Sequence, residues 1–154
     1  MLFKQRLSAW FDKFEIFDEA GNTLYTVRGR FSFGKHLTVF DVDGNEVGVI
    51  KEEIMTMLPK YNVFLGENLV GTIRKEFTFF KPKFTIDFNG WSVEGNFLEL
   101  DYSVFNSCGQ RVATVCQELL NWTDTYSIEV VNSSDAILVL MLVLAIDANK
   151  ASRS

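Results

Sequence analysis

The sequence predicts a mainly β protein with a single domain over residues 1–154. Repeated hairpins are expected to form a closed antiparallel barrel of about twelve strands around a C-terminal apolar helix. Short segments alternate apolar with polar residues and recur at intervals of 18 to 24 residues. Turn-forming residues follow five of these segments, and a run of eleven apolar residues lies near the C-terminus. These three observations together predict the fold class.

The alternating segments share a pattern in which a large apolar residue and a polar residue precede Ile or Val. Their lead residues are Phe14, Leu37, Tyr61, Phe84, Tyr102 and Tyr126. Alternation with a period of two is typical of a strand with one buried face. An opening strand near Leu2–Leu7 and a closing strand at Thr125–Val131 complete the set, so strands are predicted over residues 2–131.

Each of the first five segments is followed by a turn and a second alternating run. The turns read DEAGN, DVDGN, LGEN, FNG and NSCGQ. Gly and Asn accept the positive φ angles that tight hairpins need. Five β-hairpins are therefore predicted, including one across residues 88–90. Closing the sheet into a barrel would remove its exposed edges.

The apolar run Ala136–Ile146 predicts a core helix over about residues 134–149. Asn132 and Asp135 are residue types that favour a helix N-terminus. Eleven residues rise only about 16 Å, roughly half the thickness of a bilayer core, so an integral membrane protein is not expected. A helix that is apolar on all sides must be buried on all sides, and the inside of a wide barrel offers that environment.

Composition narrows the function and the location. The net charge of −5, without a long basic run, argues against nucleic acid as a partner. The opening MLFKQRLSAWF lacks the continuous apolar stretch of a signal peptide. Cys108 and Cys116 are read as free thiols in a reducing compartment. A cytoplasmic location is therefore expected.

A repeat of hairpins that ends in an apolar helix resembles the LURP-one-related family, in its bacterial branch. The phrases that carry the resemblance are FSFGKHLTVFDVDGNEVGVIKEE, FTFFKPKFTI and ILVLMLVLAIDA, and it covers nearly the whole chain. This family belongs to the tubby C-terminal-like superfamily, which includes the phospholipid scramblases. The resemblance implies a twelve-stranded barrel around a central helix and no established enzyme activity. Tubby domains bind phosphoinositide headgroups at a basic pocket, but no residue motif transfers that pocket here. The cysteine-rich and metal-binding segments of scramblases are absent from this sequence.

Two motifs resemble ligand-binding loops but depart from them. Gly29–His36 is similar to a phosphate-binding loop, but it lacks the final Ser or Thr and leads into a strand. Asp41–Glu46 is similar to a calcium loop, but its glycine is at the fourth position instead of the sixth. His36 is the only histidine, so no histidine cluster can hold a metal. No catalytic, metal-binding or cofactor-binding residues are predicted, and the protein is not expected to be an enzyme.

Basic residues at the corners between hairpins provide a candidate site for an anionic ligand. Its residues are Lys35, His36, Lys81 and Lys83, which we call the predicted rim. The alternative is that these are solvated charges whose stems lie over apolar surface. The leading hypothesis is a cytoplasmic, non-enzymatic scaffold or binding module with an unknown protein partner. The second is a peripheral membrane module that binds anionic phospholipid or phosphoinositide headgroups, and the third, an enzyme, has the least support.

Overall fold

In the computed structural model, the described residues form twelve strands and one C-terminal helix, so the protein is mainly β, as predicted. The described residues are 2–6, 13–30, 34–79, 83–97, 99–118 and 125–151. The strands are β1 (Leu2–Arg6), β2 (Lys13–Phe17), β3 (Thr23–Arg30), β4 (His36–Phe40), β5 (Glu46–Glu52), β6 (Lys60–Leu65), β7 (Asn68–Glu76), β8 (Lys83–Phe88), β9 (Ser92–Asn96), β10 (Asp101–Phe105), β11 (Arg111–Glu118) and β12 (Thr125–Val130). A 3-10 turn over Ser133–Asp135 leads into helix α1, Ala136–Ala151.

The sheet is open, so the prediction of a closed barrel is wrong. Its strand order is β8-β7-β6-β5-β4-β3-β2-β1-β12-β11-β10-β9, which leaves β8 at one edge and β9 at the other. Among the described residues, no ladder of backbone hydrogen bonds joins these two edges. The hairpin predicted across residues 88–90 is therefore not formed, although the other four predicted hairpins are.

Aromatic side chains between β8 and β9 give the physical reason for the open edge. Phe84 of β8 packs edge-to-face on Phe97, which follows β9, with ring centroids 5.2 Å apart. Phe97 also contacts Tyr102 at 5.5 Å. In the turn between the two strands, Phe88 packs on Trp91 at 5.7 Å. These rings bridge the two edges through side chains, where a closed barrel would use backbone hydrogen bonds.

The turns at the hairpin end of the sheet are held by aspartate side chains. Asp18 Oδ1 accepts hydrogen bonds from the backbone N–H groups of Ala20 and Asn22, at 2.9 and 2.8 Å. Asp41 Oδ1 accepts the equivalent bonds from Asp43 and Asn45, at 3.0 and 2.9 Å. Hydrogen bonds from Asn22 and Asn45 lower the pKa of the Asp18 and Asp41 carboxyls. The segment that is similar to a calcium loop is thus a β4–β5 hairpin turn.

Helix α1 provides the centre of the core. Residues 139–146 are at most 1% exposed, so the helix is buried on all its sides. Gly48 of β5 permits this packing, because a Cβ atom there would lie 2.5 Å from Met141 Cε. At the C-terminal end, the buried Asn149 donates a hydrogen bond from Nδ2 to the Ile73 carbonyl at 3.1 Å. Within the described residues, no helix is both long and apolar enough to cross a membrane.

Candidate functional site

The outer faces of β2, β3 and β4 form a shallow groove of about 480 Å³ with basic walls. Val27 on β3 is fully buried in the core. Because successive residues of a strand point to opposite faces, Arg28 and Arg30 on the same strand point outward. The groove is lined by Lys13, Arg28, Gly29, Arg30, His36, Thr38 and Phe40. We call Lys13, Arg28, Arg30 and His36 the basic groove.

The register of the strands brings these four side chains together. Lys13 on β2 is directly opposite Arg28 on β3. Arg30, at the end of β3, is opposite His36 at the start of β4, and His36 is opposite Lys51 on β5. Residues that face each other across antiparallel strands have Cβ atoms about 5 Å apart. The sheet therefore concentrates positive charge on one outer face, although the whole chain has a net charge of −5.

The cations of the basic groove are available to bind an anion. Arg28 lies over the ring of Phe40, with Cζ 5.8 Å from the ring centroid. In the part of the chain that the structure describes, Lys13, Arg28 and Arg30 form no ion pair with a carboxylate. Guanidinium groups offer several N–H donors in a planar fork that fits phosphate or carboxylate oxygens. The groove thus has the charge, the donors and the aromatic surface to bind a phosphorylated or carboxylated group.

The pKa of His36 responds to the positive charge of the neighbouring side chains. Partial burial lowers the pKa of His36, and the nearby cations Arg30 and Lys51 lower it further. Glu46 on β5 acts in the opposite direction. An anion bound in the basic groove would favour the protonated imidazole and so raise this pKa.

The structure separates the three described residues of the predicted rim, Lys35, His36 and Lys83. Lys35 is half-buried, and its Nζ donates a hydrogen bond to the Ala148 carbonyl of α1 at 3.1 Å. Its backbone N–H donates to Glu52 Oε2 at 2.9 Å. Burial lowers the pKa of Lys35, while the carboxylates of Glu52 and Asp147 oppose that shift. Lys35 therefore attaches the β3–β4 corner to the helix, while His36 faces the opposite side of the sheet.

Lys83 of the predicted rim is on a distant strand. Lys83 begins β8, which is separated from β4 by three strands, and its Nζ lies 3.7 Å from Glu76 Oε2. Lys81 lies outside the described residues. Of the three rim residues that the structure describes, only His36 lines the basic groove. Anion binding by Lys35, Lys81 and Lys83 stays a prediction.

Sequence reasoning missed Lys13, Arg28 and Arg30, although a usable signal was present. Residues of a strand alternate between the buried and the exposed face, and Ile16 on β2 and Val27 on β3 are on the buried face. Lys13 on β2 and Arg28 and Arg30 on β3 therefore occupy exposed positions. The DEAGN turn that connects β2 to β3 sets the register that pairs Lys13 with Arg28. Extending the alternation by one residue would also have directed Lys35 inward and His36 outward.

The described part of the chain offers few side chains for metal binding or for thiol chemistry. There, no cluster of three or more His, Cys, Asp or Glu residues could hold a metal ion. Cys108 and Cys116 are exposed, and neither forms a disulfide.

Comparisons with known proteins find one matching family model, one similar protein sequence and one similar structure. The model of the LURP-one-related family matches residues 1–147. An uncharacterized protein of Bacillus subtilis, YxjI, is 27% identical over 148 residues, which is 96% of this chain and 91% of that protein. The crystal structure of an Arabidopsis thaliana protein has the same fold, with a TM-score of 0.65 and 20% identity over 96% of this chain and 91% of that one. Because the family model matches almost the whole chain, the protein belongs to the LURP-one-related family.

Proposed function

We propose that this protein is a non-enzymatic binding module that recognises an anionic, phosphate-bearing ligand at the basic groove. The observation that carries the proposal is the set of cations on adjacent strands that have no carboxylate partner among the described residues. Three of them, Lys13, Arg28 and Arg30, are exposed, so they can reach a ligand without rearrangement of the core. The volume of the groove lies in the range of small-molecule sites. A cytoplasmic location belongs to the same proposal.

A role without catalysis agrees with the chemistry of the groove. Its side chains are cations, one imidazole, one hydroxyl and one aromatic ring. Such a set can hold charge, and among the described residues no hydrogen bond pairs the Thr38 hydroxyl with the His36 imidazole, as a nucleophile and its base would require. A protein partner is the alternative ligand, and it would need an acidic segment to match the same cations.

The sole histidine makes a direct test possible, because its imidazole gives a single Cε1–H NMR signal. We expect pyrophosphate, added at low ionic strength, to shift this signal and to raise the pKa of His36. Binding should strengthen as the pH falls through that pKa, because protonation adds a positive charge beside the ligand. It should weaken in salt, because exposed charges are screened.

Matched variants locate the site. Replacing both Arg28 and Arg30 with Gln should weaken pyrophosphate binding by on the order of tenfold or more, since each contact to a charged group contributes about 1 kcal/mol or more. Arg111→Gln, an exposed arginine on β11 far from the groove in strand order, should bind like the parent. If pyrophosphate leaves the His36 signal unchanged, or if both variants bind equally, the groove is not a site for a phosphate-bearing ligand. An acidic protein partner would then be the better hypothesis.

A further inference from the structure

Two neighbouring connections at one end of the sheet expose large apolar side chains. Strands β5 to β8 are consecutive in the sheet, so the β5–β6 and β7–β8 connections emerge at the same end, about 10 Å apart. Met55 and Met57 are 99% and 98% exposed, and Phe79 is 85% exposed. Ile54 and Phe77 are exposed beside them. We call these five residues the apolar tip.

The apolar tip has local structure of its own. Phe77 and Phe79 pack edge-to-face on each other, with ring centroids 5.3 Å apart, and both rings face solvent. Met55 has a φ of 70°, a left-handed conformation that residues with side chains seldom adopt. Several large apolar residues grouped on a surface mark an interaction site more often than isolated ones do.

Charge is distributed unequally between the two ends of the strands. Arg30, His36 and Lys51 form a cross-strand row at the tip end, directly before the connection that carries Met55 and Met57. At the opposite end, the β2–β3, β4–β5 and β6–β7 turns contain acidic residues and no Lys or Arg. Carboxylates flank the apolar residues at the tip end too, but they lie beside cations: Glu53 Oε2 is 2.7 Å from Lys60 Nζ, and Glu76 Oε2 is 3.7 Å from Lys83 Nζ. The molecule therefore presents apolar side chains, a cationic row and two ion pairs at one end, and turns with acidic but no basic residues at the other.

We infer that the apolar tip docks onto an anionic lipid bilayer. In this orientation, the Met and Phe side chains enter the boundary between headgroups and acyl chains, as apolar faces of peripheral proteins do. The cationic row then lies at the depth of the anionic headgroups, and the acidic turns face away from the surface. The shape of the apolar tip favours a membrane over an acidic protein. Its side chains protrude from two separate connections, and a deformable lipid surface accepts them without a matching pocket. The inference goes beyond the proposed function in the five tip residues, none of which lines the basic groove, and it shares Arg30 and His36 of the cationic row with that groove.

Vesicle flotation tests the inference with the full chain. We expect the protein to float with equimolar phosphatidylcholine–phosphatidylserine vesicles, and less with phosphatidylcholine alone. Replacing Met55 and Met57 with Ser should weaken binding by on the order of tenfold or more. The control replaces Val42 and Leu69, two exposed apolar residues at the acidic end, with Ser and should bind like the parent. Melting curves of both pairs verify that the fold is kept.

A fluorophore on either end determines the orientation. One protein carries it at Cys108, in the β10–β11 turn at the hairpin end, with Cys116 replaced by Ser. The other carries it at Met57→Cys after both native cysteines are replaced by Ser. An environment-sensitive dye should shift to the blue on vesicle binding at residue 57 and not at residue 108.

Three outcomes overturn the inference. In the first, the parent protein does not bind phosphatidylserine vesicles at low salt. In the second, the tip variant and the control variant bind equally. In the third, the emission of the dye at residue 57 does not change when the protein binds vesicles. A dimer that dissociates on Met55→Ser, Met57→Ser substitution, without vesicle binding, would identify the tip as a contact between two copies instead. The groove is judged separately, because the tip variant should keep the pyrophosphate response of His36.

Discussion

Lys35 and His36 are neighbours in the chain, but they contact different parts of the molecule. The ammonium of Lys35 reaches the C-terminal turn of α1, where backbone carbonyls lack helical partners and favour a cation. His36 lines the basic groove on the outer face. His36 begins β4 and Lys35 directly precedes it, so one residue of this basic pair contacts the helix and the other lines the groove.

Lys35→Met should separate these two roles. The variant keeps most of the stem but loses the hydrogen bond to Ala148, so we expect the free energy of unfolding to fall by about 1 kcal/mol. Pyrophosphate binding should be unchanged. Lys51→Met, an exposed cation on the next strand, serves as the control for unfolding only, because Lys51 also affects the pKa of His36, and it should leave the melting temperature unaltered. Denaturant unfolding and the His36 titration measure both effects, and weaker anion binding by Lys35→Met would return Lys35 to the ligand site.

Helix α1 is the element on which the core depends. Its sequence predicts burial on every side, and the structure confirms that residues 139–146 are buried. The helix begins at Ala136 instead of residue 134, because the polar residues Ser133–Asp135 form a 3-10 turn. The boundary of a helix depends on local capping geometry, whereas its burial depends on the length of the apolar run. The burial of α1 was therefore easier to predict than its first residue.

Leu140→Asp should destroy the fold. Leu140 is fully buried, and an unpaired carboxylate there costs several kcal/mol, a large part of the stability of an ordinary domain. We expect unfolded or insoluble protein. Val131→Asp places the same charge at an exposed position just after β12 and should remain folded. Circular dichroism and solubility compare the two variants, and a folded Leu140→Asp protein would mean that the helix is accessible to water.

At the scale of the whole molecule, the strands were predictable and the closure of the sheet was not. Alternation and turn residues are local signals, and they are sufficient for the strands and for four hairpins. Whether β8 pairs with β9 depends on how Phe84, Phe97 and Trp91 pack in three dimensions. The turn at residues 88–90 resembles the other hairpin turns in composition, so nothing local distinguishes it. The basic groove likewise depends on register between strands, which the turn lengths specify only indirectly.

The open edge predicts unequal stability across the sheet. β8 and β9 are each paired on one side only, whereas β4 and β5 are paired on both. Edge segments open at lower free energy than central ones, so their amides should exchange faster with deuterated solvent. Native-state hydrogen exchange, followed by mass spectrometry, should show β9 exchanging before β4. Equal protection of the two strands would indicate that the sheet opens as one cooperative unit.

The position of α1 along the chain has a consequence for synthesis on the ribosome. All twelve strands precede the helix, so the sheet emerges before the segment that fills its centre. Until residues 139–146 are translated, the inner side chains of the sheet have only each other to cover them. An opening between β8 and β9 lets the late helix enter sideways, without threading through a closed ring. Nascent chains that stall before residue 136 should therefore be substrates for chaperones that bind apolar surface, because their core lacks its central element.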